Sequence, residues 1–475
     1  MKAKKITALF TCTAMMAGVL AGCGEKSGDS SSSGDSSSGG ITITVAQDLD
    51  TNEKANNVMN EVIQEFTDKT GINVEFESLP SGDYRTWLTT QFSAGKGPDV
   101  YSGILYDVTQ DYQNGQLCNF KDIFEEESEY DPGKPWKDTL PDYIKERMYI
   151  TPDDVPGYPT ATSVVRIFIN KDMLDEVGAE VPETWAEFID TCEKLKENDK
   201  IPFAFPNATI DDLSWLWFCN SVCSQLDSQI VDELDVSGNG YVELAEMCKG
   251  MDEGKIDFSA PELQEAFKLM KEFSQYWTSD YNGLDQKTAI EMFERGDVAM
   301  VQAMSTSLDG IEDVVGDSFE YVVIPVPTIT SETSEYALGK SVILGGQPDI
   351  IYCMNKDLEE DQEKYDAALE FVQYISSPEV QTKFAEEICR IPLSLSCELP
   401  ERLEGFKITE EPLRMAWFTG VNEQLRNYFH RAGQEYLSDS IDLEEFTETI
   451  NSSYKEVLES VKAENGWSAE NNYGM

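Results

Sequence analysis

Residues 41–76 read ITITVAQDLDTNEKANNVMNEVIQEFTDKTGINVEF, and this stretch decides the fold class. Residues 41–46 alternate apolar and polar side chains and include β-branched ones, which predicts a strand. Residues 52–70 predict a helix, because apolar side chains recur at three- and four-residue spacings: Val58, Met59, Val62 and Phe66. Residues 72–76 predict a second strand and residues 83–94 a second helix. This alternation predicts an α/β fold with parallel strands.

The N-terminus has the pattern of an export signal. Three lysines in the first five residues precede an uncharged stretch, residues 6–22, of apolar and small side chains. The stretch is too short to cross a hydrocarbon core of about 30 Å. It ends in Leu20-Ala21-Gly22-Cys23, which resembles the lipobox of bacterial lipoproteins. The resemblance implies that residues 1–22 are removed and that Cys23 carries lipid, including palmitate; the alternative is an ordinary cleavage site with a chance cysteine.

Residues 23–40 follow as a tether. Nearly every residue after Cys23 in this segment is Ser, Gly or Asp, a composition that cannot bury a core. A flexible chain of this length spans about 20 to 25 Å. We therefore predict an extracytoplasmic domain that begins near residue 41 and is anchored to the cell membrane by lipid.

Charge and composition exclude several classes of function. The formal net charge is −53, which repels phosphate backbones, so we expect no nucleic-acid partner. The chain has one histidine, His430, which we place at the surface or at a helix cap, so triads and histidine-ligated zinc are poor candidates. With 89 acidic residues, carboxylate pairs arise by chance at any spacing. We predict a protein that is not an enzyme and needs no cofactor for chemistry.

The cysteine pattern leaves the redox state open. Of ten cysteines, Cys12 lies in the signal and Cys23 is the lipid acceptor. The rest form no CxxC pair, although Cys219 and Cys223 lie one helical turn apart. Disulfides and scattered buried thiols both fit this pattern.

A series of short segments carries a more specific resemblance. In chain order they are FTDKTGINV (66–74), GKGPDV (95–100), YPT (158–160), FINKDML (168–174), VPETWAEF (181–188), MFERGDVAM (292–300), YVVIPV (321–326), ISSPEVQ (375–381) and the C-terminal helix 446–458. Together they resemble the family 1 extracellular solute-binding proteins of ABC importers, the group that contains the maltodextrin-binding protein.

The resemblance implies a two-lobed periplasmic-binding-protein-like fold with a hinge and a ligand cleft between the lobes. Lobe 1 would comprise residues 41–162 plus 326–377, and lobe 2 residues 163–325 plus 378–475. It also implies a monomer that captures a carbohydrate, an oligosaccharide in our prediction, and delivers it to ABC permease subunits. The alternatives are a lipid-anchored glycosidase, a non-sugar solute-binding protein and an adhesion lipoprotein.

A sugar cleft needs aromatic platforms and hydrogen-bonding side chains on loops that follow strands. Eight residues fit this requirement by position: Asp48, Tyr106, Asp107, Thr162, Ser163, Trp215, Trp217 and Trp417. Thr162 and Ser163 stand where the chain would first cross between lobes. Trp215 and Trp217 are two residues apart, so one is expected in the core and the other at the cleft.

Residues 235–246 read DVSGNGYVELAE and resemble an EF-hand calcium loop over all twelve positions. The predicted ligands are Asp235, Ser237, Asn239, the carbonyl of Tyr241, Glu243 and Glu246. Ser237 and Asn239 lower the charge of the loop, so a modest affinity for a structural Ca²⁺ is expected. The alternative is an acidic hairpin turn around Asn239-Gly240.

Overall fold

The computed structural model describes residues 40–49, 53–417 and 422–475, except for the side chain of Ser81. The predicted signal peptide, Cys23 and the tether through residue 39 lie outside these residues. Of the helices in the described ranges, none combines the length and the apolar character that crossing a membrane requires.

Eleven strands and seventeen α-helices make up the regular structure of the described residues. The strands are β1 (Thr42–Asp48), β2 (Asn73–Leu79), β3 (Val100–Gly103), β4 (Glu127–Ser128), β5 (Asp131–Pro135), β6 (Tyr158–Asn170), β7 (Ile201–Ala204), β8 (Val298–Met304), β9 (Tyr321–Ile324), β10 (Gly345–Met354) and β11 (Ile391–Pro392). The helices are α1 (Glu53–Thr70), α2 (Ser81–Ser93), α3 (Leu105–Gln113), α4 (Lys121–Phe124), α5 (Asp142–Met148), α6 (Lys171–Glu176), α7 (Trp185–Glu197), α8 (Trp215–Asp227), α9 (Val231–Leu234), α10 (Leu244–Asp252), α11 (Pro261–Phe273), α12 (Gln286–Glu294), α13 (Leu308–Val315), α14 (Gln362–Ile375), α15 (Pro378–Ile388), α16 (Glu423–Leu437) and α17 (Leu443–Asn465). Short 3-10 turns occupy Trp136–Thr139, Ser228–Ile230, Ser274–Tyr276, Tyr281–Gly283, Ser305–Ser307, Lys356–Glu360, Glu401–Phe406 and Ala469–Gly474.

The opening strands and helices are arranged as the sequence predicts. Strand β1 pairs in parallel with β2 on one side and with β3 on the other. Helix α1 buries the predicted apolar face, including Val58 and Phe66. It ends at Thr70, and the φ of the following Gly71, 78°, lies in the left-handed region that favours glycine. The strand order of the main sheet is β2-β1-β3-β10-β6-β8-β7, and β10 is antiparallel to β3 and to β6.

Strand β6 connects the two halves of this sheet. Its first half, through Val164, pairs with β10, and its second half, Val165 to Ile169, pairs with β8. Strand β9 pairs with the end of β6, and β11 pairs with its middle at Ala161 and Thr162. The change of partner therefore falls between Val164 and Val165, in the region where the sequence places the first crossing.

Two large apolar cores lie on either side of this crossing. We call lobe 1 the part packed around β1, β2, β3 and β10, and lobe 2 the part packed around the second half of β6 with β7, β8 and helices α7 to α11, α16 and α17. A third, smaller core lies at the crossing.

The cores divide the chain differently from the predicted boundaries. Residues such as Ile329 and Leu344 pack with lobe 2, although 326–344 was assigned to lobe 1. Helix α15, assigned to lobe 2, packs Phe384 and Ile388 into the core of lobe 1. The reason is local: β10 begins only at Gly345, and the α15 helix directly follows α14 and packs on α1.

The histidine and the cysteines are interior residues. His430 is 6% exposed and burial lowers its pKa, so the expectation of a surface histidine is wrong. Eight cysteines of the described ranges are free thiols, and seven of them are buried. Of the two alternatives that the sequence leaves open, the structure shows scattered thiols.

Candidate functional site

The strand order creates a crevice at the carboxyl ends of β1 and β3. The chain passes from β1 to β2 on one side and then returns to β3 on the other side of β1. In open α/β sheets, ligands bind where the order reverses in this way. A cavity of about 180 Å³ lies at this point, and its lining includes Asp48, Tyr84, Arg85, Ile104 and Asp107. We call this region, together with the neighbouring end of β10, the strand edge.

Tyr84 holds the two strands of this edge together. Its buried hydroxyl lies 3.1 Å from the carbonyl oxygen of Ala46 and 2.8 Å from that of Ser102. Burial raises the pKa of Tyr84 well above its usual value, and the charge of Asp48 adds to this effect. The phenol is therefore neutral, and its single proton can be donated to only one carbonyl at a time.

Arg85 lines the cavity and pairs with carboxylates of the protein. Its guanidinium donates two hydrogen bonds to the carboxylate of Asp111, at 2.6 and 2.7 Å. Its Nε lies 3.5 Å from Asp107. Hydrogen bonding to Asp111 is the main reason that the pKa of Arg85 is raised, and burial is the main reason that the pKa of Asp107 is raised. The positive charge of Arg85 is thus already balanced by protein carboxylates.

A second group of polar residues lies where β6 changes partner. Asp349, in an irregular part of β10, lies beside the hydroxyl and the amide of Ser163. The pKa of Asp349 is raised to about 6, mainly by burial and to a smaller extent by the negative charge of Asp48, while Ser163 and Arg390 oppose the rise. Asp48 therefore lies within electrostatic range of both this group and the cavity.

Arg390 is positioned by the end of α15. Cys389 adopts a left-handed conformation with a φ of 55°, and Ile391 then pairs with Thr162 of β6. The guanidinium lies over the ring of Phe384 at 5.5 Å, and the charges of Asp48 and Asp349 act on it. Among the described residues, none accepts a hydrogen bond from it or pairs with it within 4.0 Å.

Four of the predicted residues meet at or near this edge. Asp48 and Asp107 line the cavity, and Ser163 lies beside Asp349. Tyr106 is 59% exposed in the first turn of α3, so its ring is accessible to a ligand. Thr162 is close by but is 2% exposed, and its hydroxyl donates to the carbonyl of Gln347 at 2.6 Å. We therefore assign Thr162 to the crossing itself and not to a ligand contact.

The predicted tryptophan platforms do not lie at this edge. Trp215 is fully buried in lobe 2, where its ring stacks on Phe429 at 4.5 Å, and Trp217 packs against the same core. Trp417 is 1% exposed and packs edge-on against Phe258. These positions correct the sequence expectation for Trp215 and Trp417, because α8 and the segment before α16 bury both rings in the helical core.

Trp417 instead borders a different cavity, of about 270 Å³. Its lining includes four carboxylates, Asp227, Glu233, Asp257 and Glu262, and no strand residue. Burial and the two glutamates raise the pKa of Asp227 to about 7. This cavity does not lie at the carboxyl end of a strand, so we place the ligand at the strand edge.

The loop at residues 235–246 is closed by its own amides. The carboxylate of Asp235 accepts hydrogen bonds from the amides of Gly238 and Gly240 at 2.7 and 2.9 Å. Glu246 is 1% exposed and accepts from three amides of the loop. Glu243 pairs with Arg147 of α5. In the described part of the chain, no three His, Cys, Asp or Glu side chains form a metal-binding group.

Arg85, Asp349 and Arg390 were missed by the sequence analysis. Arg85 lies inside a helix, and Asp349 and Arg390 are separated from Asp48 by some three hundred residues of chain. One weak signal was present, since Pro348 before Asp349 predicts an irregular strand.

Comparisons with known proteins agree with this architecture. Residues 61–412 match the family described as bacterial extracellular solute-binding protein. A multiple sugar-binding protein of Streptococcus mutans is 28% identical over 151 residues, 31% of this chain and 32% of that protein. An sn-glycerol-3-phosphate-binding periplasmic protein of Brucella abortus is 22% identical over 252 residues, 52% of this chain and 51% of that protein.

Solved structures extend the likeness over most of the chain. RafE from Streptococcus pneumoniae superimposes with a TM-score of 0.65 at 17% identity, covering 88% of this chain and 97% of that one. This likeness confirms the predicted α/β, two-lobed fold. The chain spans about a third and about half of the lengths of the two curated relatives above.

Proposed function

This chain belongs to the bacterial extracellular solute-binding protein family, and from that premise we propose that it captures a carbohydrate and delivers it to an ABC permease. The observation that carries the proposal is the strand edge. There, Asp48, Asp107 and Asp349 offer acceptors, Arg390 offers donors, and Tyr106 offers an accessible ring. Carbohydrates combine hydroxyls that need paired hydrogen bonds with apolar ring faces that stack on aromatic side chains.

We propose an oligosaccharide as the ligand. Two supports are the accessible ring of Tyr106, which adjoins Asp107 at the cavity, and the sugar-binding name of the Streptococcus mutans relative. The test is a thermal-shift screen of the purified protein against monosaccharides, oligosaccharides, amino acids and polyamines. An oligosaccharide at one hundred times its Kd should raise stability by about 2.7 kcal/mol. A hit among amino acids or polyamines, with no sugar active, would refute the substrate class.

A lipid-anchored glycosidase is the second candidate, and one observation favours it. The pKa of Asp349 is raised to about 6, mainly by burial and to a smaller extent by Asp48, and sugar hydrolysis uses a carboxylic acid of raised pKa together with a second carboxyl group. A binding protein returns its ligand unchanged. Incubation of the protein with each ligand that shifts its melting, followed by chromatography of the products, decides between the two. Cleaved sugar would establish the enzyme.

The anchor and the partners complete the proposal. The family is extracellular, and we propose that lipid on Cys23 and the tether keep a monomeric binding protein within reach of its permease. Cys23→Ser should release the protein from the membrane fraction, whereas Cys397→Ser should leave it there. If Cys23→Ser stayed in the membrane fraction as Cys397→Ser does, that result would contradict the lipid anchor.

We also propose that the loop at residues 235–246 binds a structural Ca²⁺. The support is the twelve-position pattern of oxygen-bearing side chains. Titration calorimetry with calcium should give heat that Asp235→Asn abolishes, together with a calcium-dependent rise in melting temperature. Absence of both signals in the unmodified protein would refute the site.

A further inference from the structure

The charges at the strand edge bear on which solutes this protein accepts. Three aspartates lie along the edge: Asp48 at the end of β1, Asp107 in the first turn of α3 and Asp349 in β10. Burial is the main cause of the raised pKa of both Asp107 and Asp349. The carboxyl groups of Asp107 and Asp349 are thus poorly solvated, and Asp48 and Asp107 line the cavity.

The two arginines of the edge differ in how far they are engaged. Arg85 donates two hydrogen bonds to the carboxylate of Asp111, at 2.6 and 2.7 Å, and its Nε lies 3.5 Å from Asp107. Arg390 has no such partner in the described part of the chain and is attracted by Asp48 and Asp349 from a distance. The guanidinium of Arg390 therefore keeps donors for a ligand. Arg390 lies near Asp349, because their chain neighbours Ile391 and Pro348 both pair with Thr162 of β6.

This mixture of donors and acceptors suits an uncharged polyol. A hydroxyl both donates and accepts, so neighbouring hydroxyls can donate to Asp48 and Asp349 while their oxygens accept from Arg390. A phosphate group has no proton to offer these carboxylates at neutral pH beyond its single acidic one. Its charge would be attracted by Arg390 and repelled by Asp48, Asp349 and Asp107.

On the basis of the proposed function, we infer that the strand edge selects uncharged polyhydroxyl solutes and rejects their phosphate esters, with Asp48, Asp349 and Arg390 as the specificity-determining residues. This distinguishes the chain from its Brucella relative, whose name specifies sn-glycerol 3-phosphate. Family membership alone leaves both classes of solute open.

The test compares two sets of probes on the full chain by thermal shift and titration calorimetry. The neutral set is raffinose, maltotriose and chitotriose; the charged set is glycerol 3-phosphate, glucose 6-phosphate and inorganic phosphate. We expect at least one neutral probe to bind and every charged probe to fail. Binding of a charged probe in place of the neutral ones would overturn the inference but leave solute capture intact. Failure of both sets would refute the proposed function and the inference together.

Single and double variants then test which residues determine the preference for uncharged solutes. Asp48→Asn and Asp349→Asn should each weaken the neutral probe at least tenfold, and Arg390→Gln should do the same. The double variant Asp48→Asn/Asp349→Asn should gain measurable affinity for glycerol 3-phosphate, a gain that a merely structural role would not produce. Asp190→Asn is the matched control, because Asp190 is an exposed aspartate on α7 that pairs with Lys194. Unchanged affinity in both single Asn variants would overturn the assignment.

Discussion

The strand edge of lobe 1 and the core of lobe 2 both contain side chains of the kinds that bind sugars. In lobe 2 these side chains are buried, whereas at the strand edge some of them are accessible. In lobe 2, Trp215 stacks on Phe429, and Trp277 stacks on Phe205 at 3.8 Å, all inside the core. At the strand edge, Tyr106 is exposed, and the guanidinium of Arg390 has no hydrogen-bond acceptor among the described residues. Aromatic rings therefore mark the core of lobe 2, whereas an exposed ring and a guanidinium without an acceptor mark the proposed binding site.

Removal of a core tryptophan should have the largest effect. Trp215→Ala deletes a fully buried ring and should lower the free energy of unfolding by about 3 to 5 kcal/mol. Urea denaturation measures this loss. The fraction that remains folded should bind ligand with unchanged affinity, because the ring does not reach the strand edge. A large loss of affinity without a loss of stability would reverse the comparison.

A buried ion pair allows a paired arginine to be compared with the unpaired guanidinium of Arg390. Arg166 and Glu410 are 1% and 2% exposed, and their charges are 2.8 Å apart. Arg166 also donates to the carbonyls of Gly405 and Lys407. Glu410→Gln leaves a buried, uncompensated guanidinium and should cost about 3 kcal/mol.

The control is the double variant Arg166→Met/Glu410→Leu, which should be much less destabilised because no charge remains buried. Arg390→Gln should cost little stability, because Arg390 has no such pair to lose. Equal destabilisation of Glu410→Gln and Arg390→Gln would contradict the assignment of Arg390 to the ligand.

The pH dependence of stability distinguishes Asp349 from an ordinary surface aspartate. Its pKa is about 6 in the folded state against about 3.9 in an unfolded chain, so between these values the folded state binds more protons. The free energy of unfolding contributed by this group therefore falls as the pH rises from about 4 to about 6. Asp349→Asn should raise stability at pH 7 by about 1 to 2 kcal/mol and change it little at pH 4. Destabilisation at pH 7 would contradict this account.

The smallest expected effect on stability is at Tyr106. Tyr106→Ala should change the free energy of unfolding by less than about 0.5 kcal/mol, because the side chain is 59% exposed. Binding of an oligosaccharide should weaken about threefold to tenfold if the ring stacks on a sugar face. Comparison with Trp215→Ala gives a matched pair of aromatic truncations. An unchanged affinity would remove Tyr106 from the site.

Much of the fold followed from local patterns, and part of the site did not. The helix of residues 53–70 and its parallel strands follow from periodicity, and Asp48 and Asp107 follow from the rule that ligands bind after strands. Arg390 reaches the edge only because β11 pairs with β6, a contact between distant segments that no local pattern encodes. The sequence wrongly assigned Trp215 and Trp417 to the ligand cleft, because a tryptophan ring suits a buried core as well as it suits a sugar-binding surface.

Hydrogen–deuterium exchange with and without a saturating neutral oligosaccharide tests the location of the site most directly. The account predicts that ligand slows exchange in peptides that contain Asp48, Gly103 to Asp107, Ser163, Asp349 and Arg390. Peptides around Trp215 and Trp417 should exchange at the same rate in both states. Protection confined to the tryptophan segments, with none at the strand edge, would contradict the account.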